Sequence, residues 1–111
     1  MAYRDEHERC PRCGTDLTDA VVGLACVACR GLWVSPADVE EMAINMQTPP
    51  GPVDLPLTVD GNRDKLACPT CREGMDLFSI FQVQVDVCET HGIWFDANEL
   101  ATVLLRAARR P

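Results

Sequence analysis

Apolar residues recur along two parts of the chain with the period of an amphipathic helix. Within 39–46 they are spaced three and four residues apart, which predicts a helix over about 36–46. The same spacing within 100–107 predicts a second helix over about 97–109. Methionines in the first stripe either pack against a neighbouring sheet or offer a soft surface to a partner.

Capping residues precede both predicted helices. Ser35 stands at the N-cap position of the first, followed by Pro36 at the first helical position and by Asp38. Asp96 precedes the second, with Glu99 three residues later, which predicts a capping box. Both helices therefore have a predicted N-terminus.

Other segments carry strand patterns. Valines alternate with polar residues over 82–87, which predicts a strand with one face in water. The valine-rich segment 20–26 predicts a second strand, and 57–66 a short strand with a turn at 60–62. Each helix therefore follows a small antiparallel sheet.

The two halves of the chain repeat one another. Trp33 and Trp94 lie 61 residues apart, and so do Gly31 and Gly92. Each tryptophan follows a pair of metal-ligand residues and precedes a helix cap. The chain is an internal duplication of a unit of about 40 residues, which is too small to be stable on a hydrophobic core alone.

The duplication predicts the domain organisation. Four prolines between Thr48 and Pro56 forbid a helix and favour an extended spacer. The expected division is a tail (1–9), a first repeat (10–47), a proline-rich linker (48–56) and a second repeat (57–110), and the two Cys-x2-Cys or Cys-x2-His pairs in each repeat are typical of a zinc ribbon. The predicted fold class is therefore a small metal-stabilised α+β protein, in which each of two tandem ribbons has a short antiparallel hairpin or sheet followed by a helix.

Metal-ligand residues fall into two sets at spacings that suit a tetrahedral ion. The first set has the pattern Cys-x2-Cys-x12-Cys-x2-Cys: Cys10, Cys13, Cys26 and Cys29. The second has the pattern Cys-x2-Cys-x16-Cys-x2-His: Cys68, Cys71, Cys88 and His91. Seven cysteines cannot pair fully as disulfides, whereas with His91 they supply eight ligands, enough for two Zn²⁺ ions per chain.

Alternatives to zinc remain at this stage. The thiols of the first set could be reduced core cysteines, or could hold iron as four thiolates do in a rubredoxin-like centre. His91 could be a structural histidine, although its position fills the fourth ligand slot of the second repeat. His7 lies in the charged tail, as an exposed residue or a spare ligand.

Charge argues against a polyanionic partner. The chain has 10 Lys and Arg against 17 Asp and Glu, a formal net charge of −7. Nucleic-acid binding draws much of its affinity from basic residues, and the compact basic cluster here is Arg106, Arg109 and Arg110. That cluster is equally explained as charge that complements a helix C-terminus. The two tryptophans could be core residues or exposed stacking platforms.

Two further features bear on location. Residues 1–9 are charged and lack the apolar run of a secretory signal. The longest uncharged apolar run, 20–29, is about half the length that a membrane helix needs. We therefore expect a cytoplasmic protein without a membrane segment, in which cysteines bind metal or stay reduced.

The motifs resemble a known family. Cys-Pro-x-Cys, a strand pair, Cys-x-x-Cys-x-Gly-x-Trp and a capped helix are similar to the transcription-factor-IIB-type zinc-ribbon family of small bacterial proteins, here in two copies over 10–46 and 68–109. The resemblance implies a zinc-ribbon fold with a C-terminal helix. Ser35 stands where that family usually has aspartate, and His91 replaces a cysteine with one residue missing before Gly92.

No catalytic set is visible in the sequence, since both sites are closed by four ligands and no Ser-His-acid set or phosphate-binding glycine loop occurs. We therefore expect a non-enzymatic zinc protein that acts as a protein-interaction module, an adaptor or a regulator, with a transcription-related role implied by the resemblance. A nucleic-acid-binding ribbon and a thiol–zinc redox switch are the alternatives.

One pair of apolar residues lies outside the two stripes. Ile44 and Leu105 occupy matching repeat positions, and each lies about 100° beyond its own stripe. An isolated exposed apolar residue is ordinary, but its repetition predicts a second contact surface. We expect the helices to present these residues to each other, to a second chain or to a protein partner.

Overall fold

The computed structural model describes residues 8–47, 57–59 and 65–109. Several predictions concern residues outside these ranges: His7, the linker at 48–56, the turn at 60–62 and Arg110. Among the described residues, neither helix has the length and apolar character needed to cross a membrane.

The first repeat forms three short strands and a helix. They are β1 (Thr18–Asp19), β2 (Leu24–Ala25), β3 (Leu32–Val34) and α1 (Pro36–Asn45). The strand predicted over 20–26 is too long, because Gly23 adopts a left-handed conformation (φ +69°) and turns the chain between β1 and β2. The Ser35 hydroxyl accepts a hydrogen bond from the Asp38 amide at 3.1 Å, so the predicted cap of α1 is confirmed.

The second repeat has the same plan with longer strands. They are β4 (Leu57–Val59), β5 (Asp76–Ile80), β6 (Val83–Cys88) and β7 (Gly92–Phe95), followed by α2 (Glu99–Ala108). The extra residues between the two ligand pairs lengthen the β5–β6 hairpin, as expected. Its two turn residues, Phe81 and Gln82, both have positive φ, the sign that a tight type I′ turn needs.

The repeats are not two separate ribbons. All seven strands form one antiparallel sheet in the order β1-β2-β3-β7-β6-β5-β4. Strand β3 of the first repeat pairs with β7 of the second, with Trp33 opposite Trp94. Because these two tryptophans occupy matching positions, the pairing is centred on a local pseudo-twofold axis. The predicted pair of hairpins is therefore corrected to one shared sheet.

Both helices cover one face of this sheet. The core between them is apolar and contains Val34, Val39, Ile80, Val85, Val87, Ile93, Phe95, Leu100 and Val103. Met42 packs against it, whereas Met46 at the end of the stripe is 37 % exposed. Most of the α1 stripe therefore packs against the sheet, which is one of the two roles that the sequence allows for its methionines.

The opposite face carries the tryptophans and the cysteines. Trp33 and Trp94 are 5 % and 0 % exposed and cluster with buried cysteines of both ligand sets. Asp86 pairs with Trp94 in register and is 2 % exposed, although the alternation in β6 predicts a wet face there. That prediction fails at Asp86 because Asp86 lies beside Trp94, on the face that the buried tryptophans and cysteines occupy.

The two helices also touch each other. The side-chain amide of Gln47 donates a hydrogen bond to the Ala107 carbonyl at 3.2 Å and is within 3.4 Å of the Ala43 carbonyl. Ala43 and Ala107 are both buried. Leu105 is 49 % exposed and Ile44 is partly buried, so Leu105 is available for the contact surface predicted from the sequence.

Candidate metal centres

The first ligand set converges at one end of the β1–β2 hairpin. Cys10 and Cys13 precede β1, and Cys26 and Cys29 follow β2. Their four sulfurs all lie within 4.8 Å of one another, and Cys13 Sγ is 3.6 Å from Cys26 Sγ. Cys10 and Cys26 are buried, whereas Cys13 is exposed. The hairpin thus places two cysteine pairs around one point, as the spacing predicted.

Backbone amides point at the sulfurs of this set. Amides of Arg12 and Cys13 donate to Cys10 Sγ at 3.3 and 3.4 Å, and that of Cys29 donates to Cys26 Sγ at 3.2 Å. Such hydrogen bonds stabilise the thiolate form that binds a metal ion. Each pair is a tight knuckle whose next residue, Gly14 or Arg30, has positive φ.

The second ligand set converges in the same way at the end of the β5–β6 hairpin. Cys71 Sγ lies 3.9 Å from Cys88 Sγ. His91 Nδ1 lies 3.4 Å from Cys88 Sγ and 3.8 Å from Cys68 Sγ. All four donor atoms are within 4.8 Å of one another. The structure therefore brings His91 to the three thiols, at the position of the fourth ligand.

These distances fit a tetrahedral ion. With Zn–S bonds of about 2.3 Å, tetrahedral geometry places sulfurs about 3.8 Å apart, and a zinc-bound nitrogen about 3.6 Å from a sulfur. The observed S···S distances of 3.6 and 3.9 Å and N···S distances of 3.4 and 3.8 Å bracket these values. The chain thus has two donor sets that could each hold a metal ion, and both are compatible with zinc.

The missing residue after His91 changes its knuckle. In the first repeat Arg30 separates the last ligand from Gly31, whereas Gly92 follows His91 directly and begins β7. The His91 amide donates to the Cys88 carbonyl at 3.1 Å, which keeps the turn tight without a left-handed residue after the ligand. An imidazole reaches farther from the backbone than a thiol, so histidine suits this shortened turn.

Crowding of the thiols makes ionisation of the first set uneven. Hydrogen bonding to Thr15, whose hydroxyl is 3.1 Å from the sulfur, lowers the pKa of Cys13 to about 6. The contact with Cys13, together with burial, raises the pKa of Cys29 to about 12. Without a cation, one sulfur therefore ionises easily while another holds its proton. A divalent ion removes this conflict by binding all four as thiolates.

The second set shows the same division. Burial raises the pKa of Cys68 to about 11. Burial also acts to raise the pKa of Cys88, but hydrogen bonds to the His91 side chain and to the Thr90 and His91 backbone lower it to about 7. Both sets thus pair a readily ionised sulfur with one that needs a metal ion to lose its proton.

Asp96 has a different role from the one predicted. The helix α2 begins at Glu99, and the side chain of its left-handed N-cap residue Asn98 (φ +72°) forms no capping hydrogen bond. The Asp96 amide donates to the Glu99 carboxylate at 2.8 Å, which is one of the two bonds of a capping box. The Asp96 carboxylate accepts hydrogen bonds from Trp94 Nε1 at 3.0 Å and from Arg12, and the contact with Arg12 could not be inferred from the pattern of a single repeat.

Arg12 joins the first ligand set to the second repeat. It lies inside the Cys10–Cys13 knuckle, and its guanidinium donates to both Asp96 oxygens at 2.9 and 2.7 Å. Hydrogen bonding to Asp96 raises the pKa of Arg12, so the guanidinium keeps its positive charge. Sequence reasoning missed this residue because its partner lies 84 positions away.

Comparison of the chain with protein-family models, with curated proteins and with solved structures finds no match in any of the three. The two donor sets, the shared sheet and the buried tryptophans are therefore the observations from which a function can be argued.

Proposed function

We propose that this chain is a non-enzymatic zinc protein with two structural sites, which acts by binding other proteins. The observation that carries the proposal is the convergence of two four-donor sets, each within 4.8 Å, in a chain of 111 residues. A chain of this size with such small halves gains the stability that its core lacks by folding around metal ions.

A structural role follows from the number of donors. A catalytic zinc site commonly keeps one position open for water or substrate, whereas four protein donors complete a tetrahedral sphere. Each set here offers four donors, and in each at least one cysteine is buried. The sites are thus suited to holding the hairpins, and function is expected at surfaces away from the metals.

Several contacts favour a protein partner over nucleic acid. Trp33 and Trp94 are buried, so they cannot serve as stacking platforms for bases. Arg106 of the basic cluster donates to the Phe81 carbonyl. The net charge of −7 adds a field that repels phosphates. A transcription-related role rests on the motif resemblance alone, and we retain it as part of the proposal.

Leu105 is the residue that we propose to meet the partner or a second chain. It is 49 % exposed on α2, and its repeat counterpart Ile44 is partly buried on α1. Exposed leucines are common singly, so the test must compare Leu105 with a neighbour that is exposed but small. Ala101, which is exposed on the same helix, supplies that comparison.

The test combines metal analysis with binding. We expect two zinc ions per chain, and Leu105→Glu should keep both while weakening self-association or partner capture; Ala101→Glu should change neither. Size-exclusion chromatography with light scattering and pull-down from the native cell measure the two forms of association. One metal per chain, or iron, would refute the ligand assignment. Equal association and partner capture by the two variants would show that Leu105 is not part of the contact surface.

A thiol–zinc redox switch is a second candidate, favoured by the exposure of Cys13 3.6 Å from Cys26. Hydrogen peroxide would oxidise the two thiolates to a disulfide, be reduced to two molecules of water with uptake of two protons, and free the zinc ion. Zinc release by peroxide, measured with a chromophoric chelator, would support it if the zinc binds again when the disulfide is reduced. Retention of both ions under peroxide would count against it.

A further inference from the structure

Each ligand set is built against the other repeat. Gly31 follows the last knuckle of the first set, and a side chain there would overlap the Trp94 ring and lie 2.7 Å from its Cη2. Gly92 follows the last knuckle of the second set, and a side chain there would lie 3.2 Å from Trp33 Cζ2. Both glycines thus seat the tryptophan of the opposite repeat, which explains why Gly-x-Trp occurs in each copy.

The first knuckles also reach across the pseudo-twofold axis. The Arg12 amide donates to Cys10 Sγ, and its side chain forms the bidentate contact with Asp96 of the second repeat. Thr70 has the matching place in the second set, where its amide donates to Cys68 Sγ at 3.3 Å. Its hydroxyl donates at 2.6 Å to the carboxylate of Glu8, which directly precedes the first repeat and accepts from the Leu17 amide of that repeat through its carbonyl. Each of the two residues therefore bonds a ligand sulfur and the opposite repeat at once.

We propose that these reciprocal contacts couple the two metal sites, so that an ion bound at one site raises the affinity of the other. The inference rests on the proposed function, since it requires a metal ion at both sites. An ion in the first set fixes the knuckles that contact Trp94, which lies in β7, and Asp96, which follows β7 directly. Strand β7 begins next to His91. An ion in the second set fixes the turn that holds Trp33, which lies four residues from Cys29.

This coupling revises an expectation that follows from the sequence alone. Two ribbons separated by a proline-rich linker would load independently, and His91→Ala would leave the first site untouched. With β3 and β7 paired and Trp94 seated on Gly31, loss of the second ion instead loosens the first site. Coupling between sites is commonly 5- to 150-fold, and by thermodynamic reciprocity each ion must affect the other by the same factor.

The primary test is titration of metal-free full-length protein with Zn²⁺, followed by native mass spectrometry. For two independent sites of equal affinity, about half of the molecules carry one ion at half loading; coupling of about 100-fold lowers this to about a tenth. Titration with Co²⁺ alone checks which site fills, because a four-sulfur site and a three-sulfur, one-nitrogen site give different absorption spectra. Both spectra should rise together.

Arg12→Ala supplies a variant that keeps all eight ligands. It removes a contact between repeats, so the one-ion species should increase by about twofold or more while two ions still bind at saturation. Arg9→Ala is the matched control, because the exposed ion pair that Arg9 forms at 3.4 Å is with Asp16 of the first repeat and does not cross the pseudo-twofold axis. The control should leave the one-ion fraction at the wild-type value.

Reciprocity gives a second, independent measurement. His91→Ala should weaken the first site by the same factor, about tenfold or more, as Cys13→Ser weakens the second. Two ions that bind with a statistical one-ion fraction, together with no effect of Arg12→Ala, would overturn the coupling and leave the structural zinc sites standing. Fewer than two ions at saturation would overturn both.

Discussion

The close approach of Gly31 to Trp94 predicts that Gly→Ala substitutions at different glycines will lower stability by different amounts. No rule based on sequence alone predicts this difference. In Gly31→Ala the added methyl would overlap the indole ring and lie 3.0 Å from the Phe95 carbonyl oxygen. Trp94 is 0 % exposed, so its ring cannot move out into solvent and can give way only if neighbouring core atoms also shift. Forcing a methyl into a packed core costs typically 1–3 kcal/mol, and we expect about 3 kcal/mol here.

Alanine substitutions at Gly92 and Gly74 provide the comparison. In Gly92→Ala the methyl would contact Val34 and Trp33 at 3.1–3.3 Å, so a shift of a few tenths of an ångström suffices and we expect about 1 kcal/mol. In Gly74→Ala the methyl meets only the flexible Lys65 side chain at 3.1 Å, so the change should be near zero. None of these three glycines has a positive φ, so the differences report packing and not backbone strain.

The assay is thermal and denaturant unfolding in saturating zinc, which keeps metal loss from dominating the transition. For a domain of about this size 1 kcal/mol corresponds to roughly 4 °C in Tm, so the expected loss of about 3 kcal/mol should make Gly31→Ala melt about 12 °C below the parent. Trp94→Phe removes the ring atoms that the methyl meets. In the double variant the cost of Gly31→Ala should therefore fall by about 2 kcal/mol. Equal melting of Gly31→Ala and Gly74→Ala would refute the cross-repeat contact.

Further outcomes are expected from metal removal, pH, nucleic acid and the helix surface. Chelation should unfold both repeats, because metal binding in small zinc modules is worth about 10–16 kcal/mol; circular dichroism during chelator titration measures it, and a folded metal-free chain would contradict it. Because the pKa of Cys29 is raised to about 12 and that of Cys68 to about 11, the metal-free sites hold protons at pH 7 that zinc must displace. The metal-free state thus binds more protons, so zinc affinity should fall as pH is lowered from 8 to 6. Competition with a chromophoric chelator measures this affinity, and an affinity that does not change with pH would contradict the prediction. Duplex DNA should not shift in a gel at micromolar protein and physiological salt, and sub-micromolar, sequence-selective binding would reverse the choice of partner class. Leu105→Glu should keep two zinc ions and lower association relative to Ala101→Glu.

Local chemistry made much of the candidate site predictable. The spacing of the cysteines within each hairpin and the fourth-slot position of His91 indicated the two donor sets, because a knuckle is formed by neighbouring residues. The Ser35 cap and both helices were predictable for the same reason. These features depend on interactions within a few residues or within one hairpin.

The joining of the repeats was not predictable, because it depends on strands of three or four residues whose partners lie 59 or more positions away. A strand as short as Leu32–Val34 carries no period that distinguishes an edge from an interior strand. Asp96 illustrates the consequence: its spacing to Glu99 fits a capping box, but its carboxylate also accepts hydrogen bonds from Arg12 of the opposite repeat. Asp86 is likewise buried beside Trp94, on the face where the two repeats meet.

The matched positions 12 and 70 carry different side chains, which a symmetric dimer of identical subunits would not allow. In a dimer of identical subunits, any residue at such a position must serve both ends of the interface with the same side chain. Here one end carries Arg12, which binds the carboxylate of Asp96 just before α2, and the other end carries Thr70, which binds Glu8. Covalent fusion thus lets the two ends of one interface specialise, while Gly31 and Gly92 preserve the shape that both ends share.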